Sequence, residues 1–465
     1  MKTGVINLKT WHDECGVFGI WGEPEASHLT YLGLYAIQHR GQESAGLVSL
    51  HEGKHYHHKG LGLVADVFDE DDLQRLKGSA AIGHIRYSTT GQNLMTNAQP
   101  LTAQLMNGPV ALAHNGNIVN SHLLREELKR QGAIFQGTND TECLLHLLAR
   151  QPCTEFVTCL SDTLPRLHGA YSMVLLTQEA LLAVRDPLGF RPLVLGRRGE
   201  AFVVASETCA FDLIGAKFER EIAPGEIFWV DQDGPHSVRF AAETEATAKC
   251  IFEHVYFARP DSVVFGHSVY KARKNMGAVL ARRAPAQADV VIPVPDSGVA
   301  AALGFAEESG IPFDLGIIRN HYVGRTFIEP QQSIRSFGVK IKLNPQRALL
   351  EGKRVVVVDD SIVRGTTSRK IIGLVRQAGA KEVHLRIASP PTTGPCYYGV
   401  DTPKKSDLIG ANQSIEEISE FIGADSLAYL TVADLFAAVG TRPMGFCAAC
   451  FDDKYPTPLF GLDRS

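Results

Sequence analysis

Apolar residues in the first half of the chain fall in short β-prone runs punctuated by Gly and Asn: GVFGIWG, AAIGHIRYST, PVALAHNGNI, YSMVLLT, LLAVRDP, AFVVASE and EIFWVD. Between them, SHLLREELKRQG and TECLLHLLARQ carry the spacing of amphipathic helices, so this half predicts an α+β arrangement of sheets covered by helices. The pattern changes past RFAAETEATAKC, where small and charged residues take over. From there DVVIPVP, RVVVVDDS and EVHLRIASP read as near-continuous β-branched strands, alternating with the helical GVAAALGFAEESG and TTSRKIIGLVRQAGA. That alternation predicts an α/β domain with a mostly parallel sheet between helices, which binds ligands at the carboxyl ends of its strands. A long basic stretch with little period, IEPQQSIRSFGVKIKLNPQRALLEG, precedes the second of these strands and reads as a mobile lid around residues 329–345. The domain boundary is placed at 245/246, giving domains 15–245 and 246–465.

Composition narrows the class without changing this picture. A chain of 465 residues exceeds one ordinary core, which agrees with a division into domains. Hydrophobic residues at 45% and charged residues at 21% are ordinary globular usage, and a formal net charge of -5 argues against a general nucleic-acid binder. The opening MKTGVINLKTWHDE has no continuous apolar core and ends in acids, so it does not read as a secretory signal. No apolar run spans a bilayer, and the cytoplasm is the expected location. In that compartment the nine cysteines are expected as reduced thiols, ligands or nucleophiles.

The most informative stretch is RVVVVDDSIVRGTTSRKI. Four valines make a buried strand, and Asp359 and Asp360 emerge at its carboxyl end. The Gly-Thr-Thr-Ser turn then opens a helix whose first N–H groups, with the hydroxyls of Thr366, Thr367 and Ser368, make a phosphate cradle. Gly365 permits close approach. Adjacent acids beside such a cradle suit a ligand with a phosphate and hydroxyls, or a magnesium ion shared with a diphosphate. This stretch resembles the phosphoribosylpyrophosphate motif of type I phosphoribosyltransferases. The resemblance implies that the acidic pair contacts ribose and metal while Ser361, Arg364 and Gly365 join the phosphate turn. IPVPDSG resembles the diphosphate side of the same site, with Ser297 near the magnesium.

Cys15 stands between the acidic pair Asp13 and Glu14 and the run GVFGIWG. A cut before it would start the strand at a free amine beside a thiol. The amine titrates near pH ~8 and the thiol near ~8.5, so an N-terminal cysteine carries its own general base. CGVFGI, QHRGQESAG, GHIRYSTTG, HNGNIVN and TNDTE, in this order, resemble the N-terminal-nucleophile (Ntn) glutamine amidotransferases, whose domain is built of sandwiched antiparallel sheets. With the second-half motif, the match extends over nearly the whole chain. It is closest to the glutamine phosphoribosylpyrophosphate amidotransferases, the amidophosphoribosyltransferase family.

The resemblance implies removal of a leader, residues 1–14. It implies Cys15 as nucleophile and Asn115 with the Gly116 N–H as oxyanion donors, each worth roughly 3 kcal/mol in enzymes that use them. Arg86 would pair with the glutamine α-carboxylate and Asp140 with its α-ammonium, with Arg40 and Gly41 beside the nucleophile. Taken singly, Arg86 reads as a surface ion pair, Asn115 as a turn residue and Asp140 as a helix cap; their joint occurrence reverses that reading.

CAAC contributes Cys447 and Cys450, and Cys250 and Cys396 lie in AKCIFEH and TGPCYYG. Such a set holds a [4Fe–4S] cluster or a structural zinc, and spacing does not choose between them. One branch of the family combines a cleaved leader with a [4Fe–4S] cluster on corresponding cysteines, which favours the cluster here. Cys143, Cys153, Cys159 and Cys209 fall on apolar or helical pattern and read as structural.

The expected activity is therefore release of ammonia from glutamine and its transfer to phosphoribosylpyrophosphate, giving 5-phosphoribosylamine, glutamate and pyrophosphate at the start of purine synthesis. Ammonia must stay unprotonated to react, so a dry passage between sites is implied by the family. The family also implies a homotetramer inhibited by purine nucleotides, with no nucleic-acid or membrane partner. Two other readings stand beside it. A non-catalytic phosphoribosylpyrophosphate-binding regulator would have no need of Cys15 or Arg86, and an amidotransferase for another acceptor would not explain the acidic diphosphate loop.

Overall fold

The computed structural model describes residues 15–87, 94–243, 246–320, 343–440 and 445–462. The expected leader, 1–14, and residues 329–342 of the expected lid lie outside the described residues.

The β-prone runs of the first half form two antiparallel sheets. In the seven-stranded sheet, Gly16–Trp21 lies at the centre between Ala201–Ala205 and Ala80–Arg86. Ser44–His51 and Lys54–Leu61 extend it on one side. The six-stranded sheet centres on Gly169–Leu176 and Leu181–Arg185, with Gly108–Ile118 beside them. The inner faces share a core of Val17, Val48, Ile82, Ala113, Val174, Leu181, Val204 and Phe228, so both central strands are apolar on both sides. Helices cover the outer faces: Ala26–Ala36 and Cys209–Ile214 on one sheet, Ser121–Arg130, Glu142–Leu148 and Phe156–Thr163 on the other. The expected α+β sandwich of antiparallel sheets is therefore present.

The second half has a four-stranded parallel sheet in the order Val290–Pro293, Arg354–Asp359, Glu382–Ile387, Ser426–Tyr429. Val355 to Val358 are fully buried because both faces are covered. Val269–Arg283 and Val299–Ser309 pack on one face, and Thr366–Gln377 and Ile415–Ile422 on the other. Of the expected lid, Leu343–Pro345 pairs antiparallel with Ile317–Arg319. Two strands from distant parts of the sequence, Ala248–Cys250 and Gly445–Cys447, pair in parallel and set Cys250 opposite Cys447.

One expectation about the cysteines is corrected. Cys153 and Cys159 are joined as a disulfide with Cα atoms 5.7 Å apart, whereas the sequence leads to reduced thiols, ligands or nucleophiles and no disulfide. The turn that leads into the helix Phe156–Thr163 folds Cys153 back over Cys159, a proximity that helical pattern alone does not reveal. Cys143, Cys209, Cys447 and Cys450 are free thiols. No helix among the described residues is long and apolar enough to cross a membrane.

Candidate active site

At the carboxyl ends of the parallel strands lies a cleft of about 500 Å³, lined by the loop after Val290–Pro293, the loop after Arg354–Asp359 and the start of the next helix. Gly365 sits at φ +71°, a left-handed conformation that favours glycine, and precedes the helix Thr366–Gln377. The free N–H groups of that first turn and the residues Thr366, Thr367 and Ser368 all face the cleft region. Asp359 and Asp360 are almost fully buried on its floor. Burial, then the charge of its neighbour, pushes the Asp359 carboxyl well above the ordinary carboxylate range. Burial also raises Asp360, against hydrogen bonds from Ser297 and Ser361 and the nearby Arg273 charge. Two adjacent buried carboxylates are costly as anions, and a cation held between them would offset that cost. The floor's oxygen donors, with the Ser297 hydroxyl, are of the hard type that magnesium accepts. Arg364 donates to Asp407 at 2.8 Å and holds the turn before Thr366 to the segment before residue 409.

In the first half, Cys15 opens the central strand and is buried, with its Sγ 3.4 Å from the Tyr87 carbonyl. Gly41 brings a neighbouring turn against Arg86: a Cβ there would lie 2.8 Å from the Arg86 backbone nitrogen. Arg86 is buried at the end of its strand. Across the sandwich, Asn115 is fully buried, and neither of its side-chain amide atoms has a hydrogen-bond partner among the described residues. A buried, unsatisfied amide is costly unless a ligand completes it. Gly116 has φ +143°, and a Cβ would fall 2.1 Å from the Ala170 carbonyl oxygen. Asp140 accepts from the Ile118 N–H at 2.7 Å, which ties the TNDTE loop to the strand carrying Asn115.

A buried ionic cluster links this site to the second half. Arg40 Nε donates to the Cys15 carbonyl at 3.2 Å, while its terminal nitrogens donate to Glu207 at 2.6 Å and to both oxygens of Glu253 at 2.8 and 3.0 Å. Arg191 donates to Glu253 at 3.4 Å and to the Tyr398 carbonyl at 2.7 Å. Arg40, Arg191, Glu207 and Glu253 are all fully or almost fully buried. Burial alone would raise Glu207, but the facing charges and hydrogen bonds of His39 and Arg40 bring its carboxyl far below the usual range. His39, bonded to Glu207 at 2.8 Å, also lines the second-half cleft. The network thus runs from the cleft to the main chain of Cys15.

Cys250, Cys396, Cys447 and Cys450 line one small cavity with Phe190 and Tyr398. Burial pushes the Cys447 thiol up to about 12, and burial followed by its cysteine neighbours raises Cys450. No three His, Cys, Asp or Glu side chains among the described residues are spaced as ligands of a single metal ion.

Sequence reasoning missed Glu253, Arg191, Glu207 and His39, and also the buried histidines His84 and His114. The histidines stand in the motifs GHIR and HNGN on strands that are otherwise apolar, a polar residue on a buried strand being the available signal. The charged groups carry no local signal, because their partners are far away in sequence.

Comparison with known proteins covers both halves. A family model described as a glutamine amidotransferase domain matches residues 84–212, and one described as a phosphoribosyl transferase domain matches 268–401. The chloroplastic amidophosphoribosyltransferase of Glycine max is 56% identical over 96% of this chain and 78% of its own length. The amidophosphoribosyltransferase of Bacillus subtilis is 48% identical over 98% of this chain and 97% of its own length. Among solved structures, the B. subtilis glutamine phosphoribosylpyrophosphate amidotransferase complexed with ADP and GMP superposes with a TM-score of 0.91 at 48% identity, covering 96% of this chain and 98% of that one. Likeness of this degree takes in both sites and the strands that carry them, and the chain belongs to the amidophosphoribosyltransferase family.

Proposed function

We propose the following division of labour in the family reaction, the glutamine-dependent amination of phosphoribosylpyrophosphate that begins purine synthesis. Removal of residues 1–14 frees the α-amine of Cys15, which takes the thiol proton as the sulfur attacks the glutamine side-chain carbonyl. Asn115 and the Gly116 N–H receive the oxyanion, Arg86 and Asp140 hold the two charged groups of the amino acid, and Arg40 fixes the Cys15 main chain. Collapse of the tetrahedral intermediate breaks the C–N bond, and the nitrogen leaves with a proton as ammonia. Water then cleaves the thioester to glutamate. In the second site ammonia attacks the anomeric carbon and pyrophosphate departs. The turn 364–368 holds the 5-phosphate, and Asp359 and Asp360 orient the ribose hydroxyls. Asp359, Asp360 and Ser297 would hold magnesium, whose charge offsets that of the diphosphate.

The reading divides the chain into 1–14, 15–245 and 246–465, and assigns a [4Fe–4S] cluster to Cys250, Cys396, Cys447 and Cys450. Their shared buried cavity supports the cluster: it joins the segment following the first domain to the C-terminal segment. Ammonia passes between the sites. The enzyme is a cytoplasmic homotetramer inhibited by purine nucleotides; the ADP and GMP complexed with the B. subtilis relative support the nucleotide inhibition alone.

One observation carries the proposal. Arg40 links the Cys15 carbonyl to Glu253 of the second half, while the adjacent His39 lines the cleft of Asp359 and Asp360. The test is pyrophosphate release on anaerobically purified protein with glutamine or with ammonia, alongside its intact mass. Protein that begins at Cys15 should use both donors, and Cys15→Ala should use ammonia alone. Loss of both activities in that variant would refute separable sites.

A further inference from the structure

Behind the glutamine site lies a closed ring of hydrogen bonds. The His114 backbone N–H donates to Gln99 Oε1 at 2.8 Å, Gln99 Nε2 donates to Thr141 Oγ1 at 3.2 Å, and Thr141 Oγ1 lies 2.9 Å from His114 Nδ1. All three residues are buried. The protons in the ring are fixed by one neighbour. His114 Nε2 is 3.3 Å from the Ala170 carbonyl, which can only accept, so Nε2 carries the proton and Nδ1 accepts. The Thr141 hydroxyl hydrogen then points to Nδ1 rather than to Asp140 Oδ1, which is farther away at 3.4 Å. Burial holds His114 neutral against the pull of Asp140.

A fourth residue joins the ring to the other sheet. His84 Nε2 donates to the His114 carbonyl at 3.0 Å. His84 is fully buried, and burial lowers it to about 3, so it too is neutral.

The placement of these residues along the chain is informative. His84 stands two positions before Arg86, on the same face of its strand. His114 directly precedes Asn115, and its Nε2 lies 3.0 Å from where a Cβ on Gly116 would be. Thr141 directly follows Asp140. Each of the three groups assigned to glutamine is therefore next to a member of one buried network that spans both sheets.

We infer that His84, Gln99, His114 and Thr141 are positioning residues that set the separation between the groups binding the amino-acid end of the substrate and the oxyanion donors. That separation selects a side-chain amide of glutamine length over asparagine, which is one methylene shorter. The inference rests on the assignment of Arg86, Asn115 and Asp140 made above.

Thr141→Val keeps the shape of the side chain and opens the ring at its hydroxyl, whereas Thr141→Ser keeps the hydroxyl. In the matured enzyme, Thr141→Val should raise the glutamine KM at least fivefold and lower the glutamine-over-asparagine ratio of kcat/KM about tenfold, the scale that one methylene commands in substrate selection. Ammonia-dependent synthesis should stay within twofold of the parent, and Thr141→Ser should restore both glutamine values. Glutamine kinetics and selectivity within twofold of the parent in Thr141→Val would overturn the inference, as would an equal fall in ammonia-dependent activity. If Thr141→Val does not accumulate folded, His84→Gln, which keeps a donor at that depth, is compared with His84→Leu under the same criteria. Asp140→Asn separates the two levels of the argument. An unchanged glutamine KM in it would refute the site assignment itself, whereas a raised KM there beside a silent Thr141→Val would refute only the positioning role.

Discussion

Glu253→Gln is a sensitive probe of the junction between the two halves, because it removes one charge and almost no volume. In the parent, Glu253 accepts from Arg40 at 2.8 and 3.0 Å and from Arg191 at 3.4 Å, with all the side chains inaccessible to solvent. A glutamine at that position turns an acceptor into an N–H₂ donor facing guanidinium N–H groups. Removing one partner of a buried ion pair costs about 3–5 kcal/mol. The lower end applies here, since Arg40 keeps Glu207 and the Cys15 carbonyl and Arg191 keeps the Tyr398 carbonyl. For 465 residues, about 2.1 cal/mol/K per residue gives an unfolding entropy of about 1 kcal/mol/K. A loss of about 3 kcal/mol then lowers Tm by about 3 °C, and by about twice that if only one half unfolds in the transition. Calorimetry of parent and variant measures this. Glutamine-dependent turnover should fall further than ammonia-dependent turnover, because the Arg40 hold on the Cys15 main chain is loosened. The double variant Arg40→Gln/Glu253→Gln should cost less than the sum of its singles, since it leaves fewer unpaired charges. A Tm within about 1 °C of the parent, or strict additivity in the cycle, would refute the view that this cluster fastens the Cys15 main chain to the second half.

Gly116→Ala places a Cβ against the Ala170 carbonyl oxygen in a backbone conformation that disfavours it. Glutamine-dependent kcat should drop about 100-fold or more, as for loss of an oxyanion donor, with ammonia-dependent kcat retained; equal losses in both assays would point to misfolding instead. Asp359→Asn removes one of two buried carboxylates at the base of the cleft, and the KM for phosphoribosylpyrophosphate at limiting magnesium should rise by at least tenfold. Unchanged steady-state kinetics with both nitrogen donors would sink the assignment. Cys450→Ser should abolish bound iron and acid-labile sulfide in anaerobically purified protein and weaken the pairing of Ala248–Cys250 with Gly445–Cys447. Zinc in place of iron in the parent would show the four thiols to be a different centre.

Local sequence determined the elements and much of the chemistry. The four valines before Asp359 could only be a strand covered on both faces, and the Gly-Thr-Thr-Ser turn after it had to open a helix with free N–H groups. Those are short-range consequences of side-chain shape, backbone freedom and the unsatisfied ends of helices, and they place the acidic pair and the helix-opening turn within a few residues of each other. The proposed reactivity of Cys15 is equally local, since the base it calls for is the residue's own amine after removal of residues 1–14. What only the tertiary structure decided is which distant groups meet. Arg40 faces Glu253 across 213 positions of sequence, Cys250 lies opposite Cys447, and His84 of one sheet donates to the His114 carbonyl of the other. A buried charge is tolerable only beside its partner, and a buried amide only beside its acceptor. Nothing in the local sequence marks where that partner lies. The fold supplies it by closing two sheets and two halves over the same polar groups, and in doing so turns separate motifs into one enzyme.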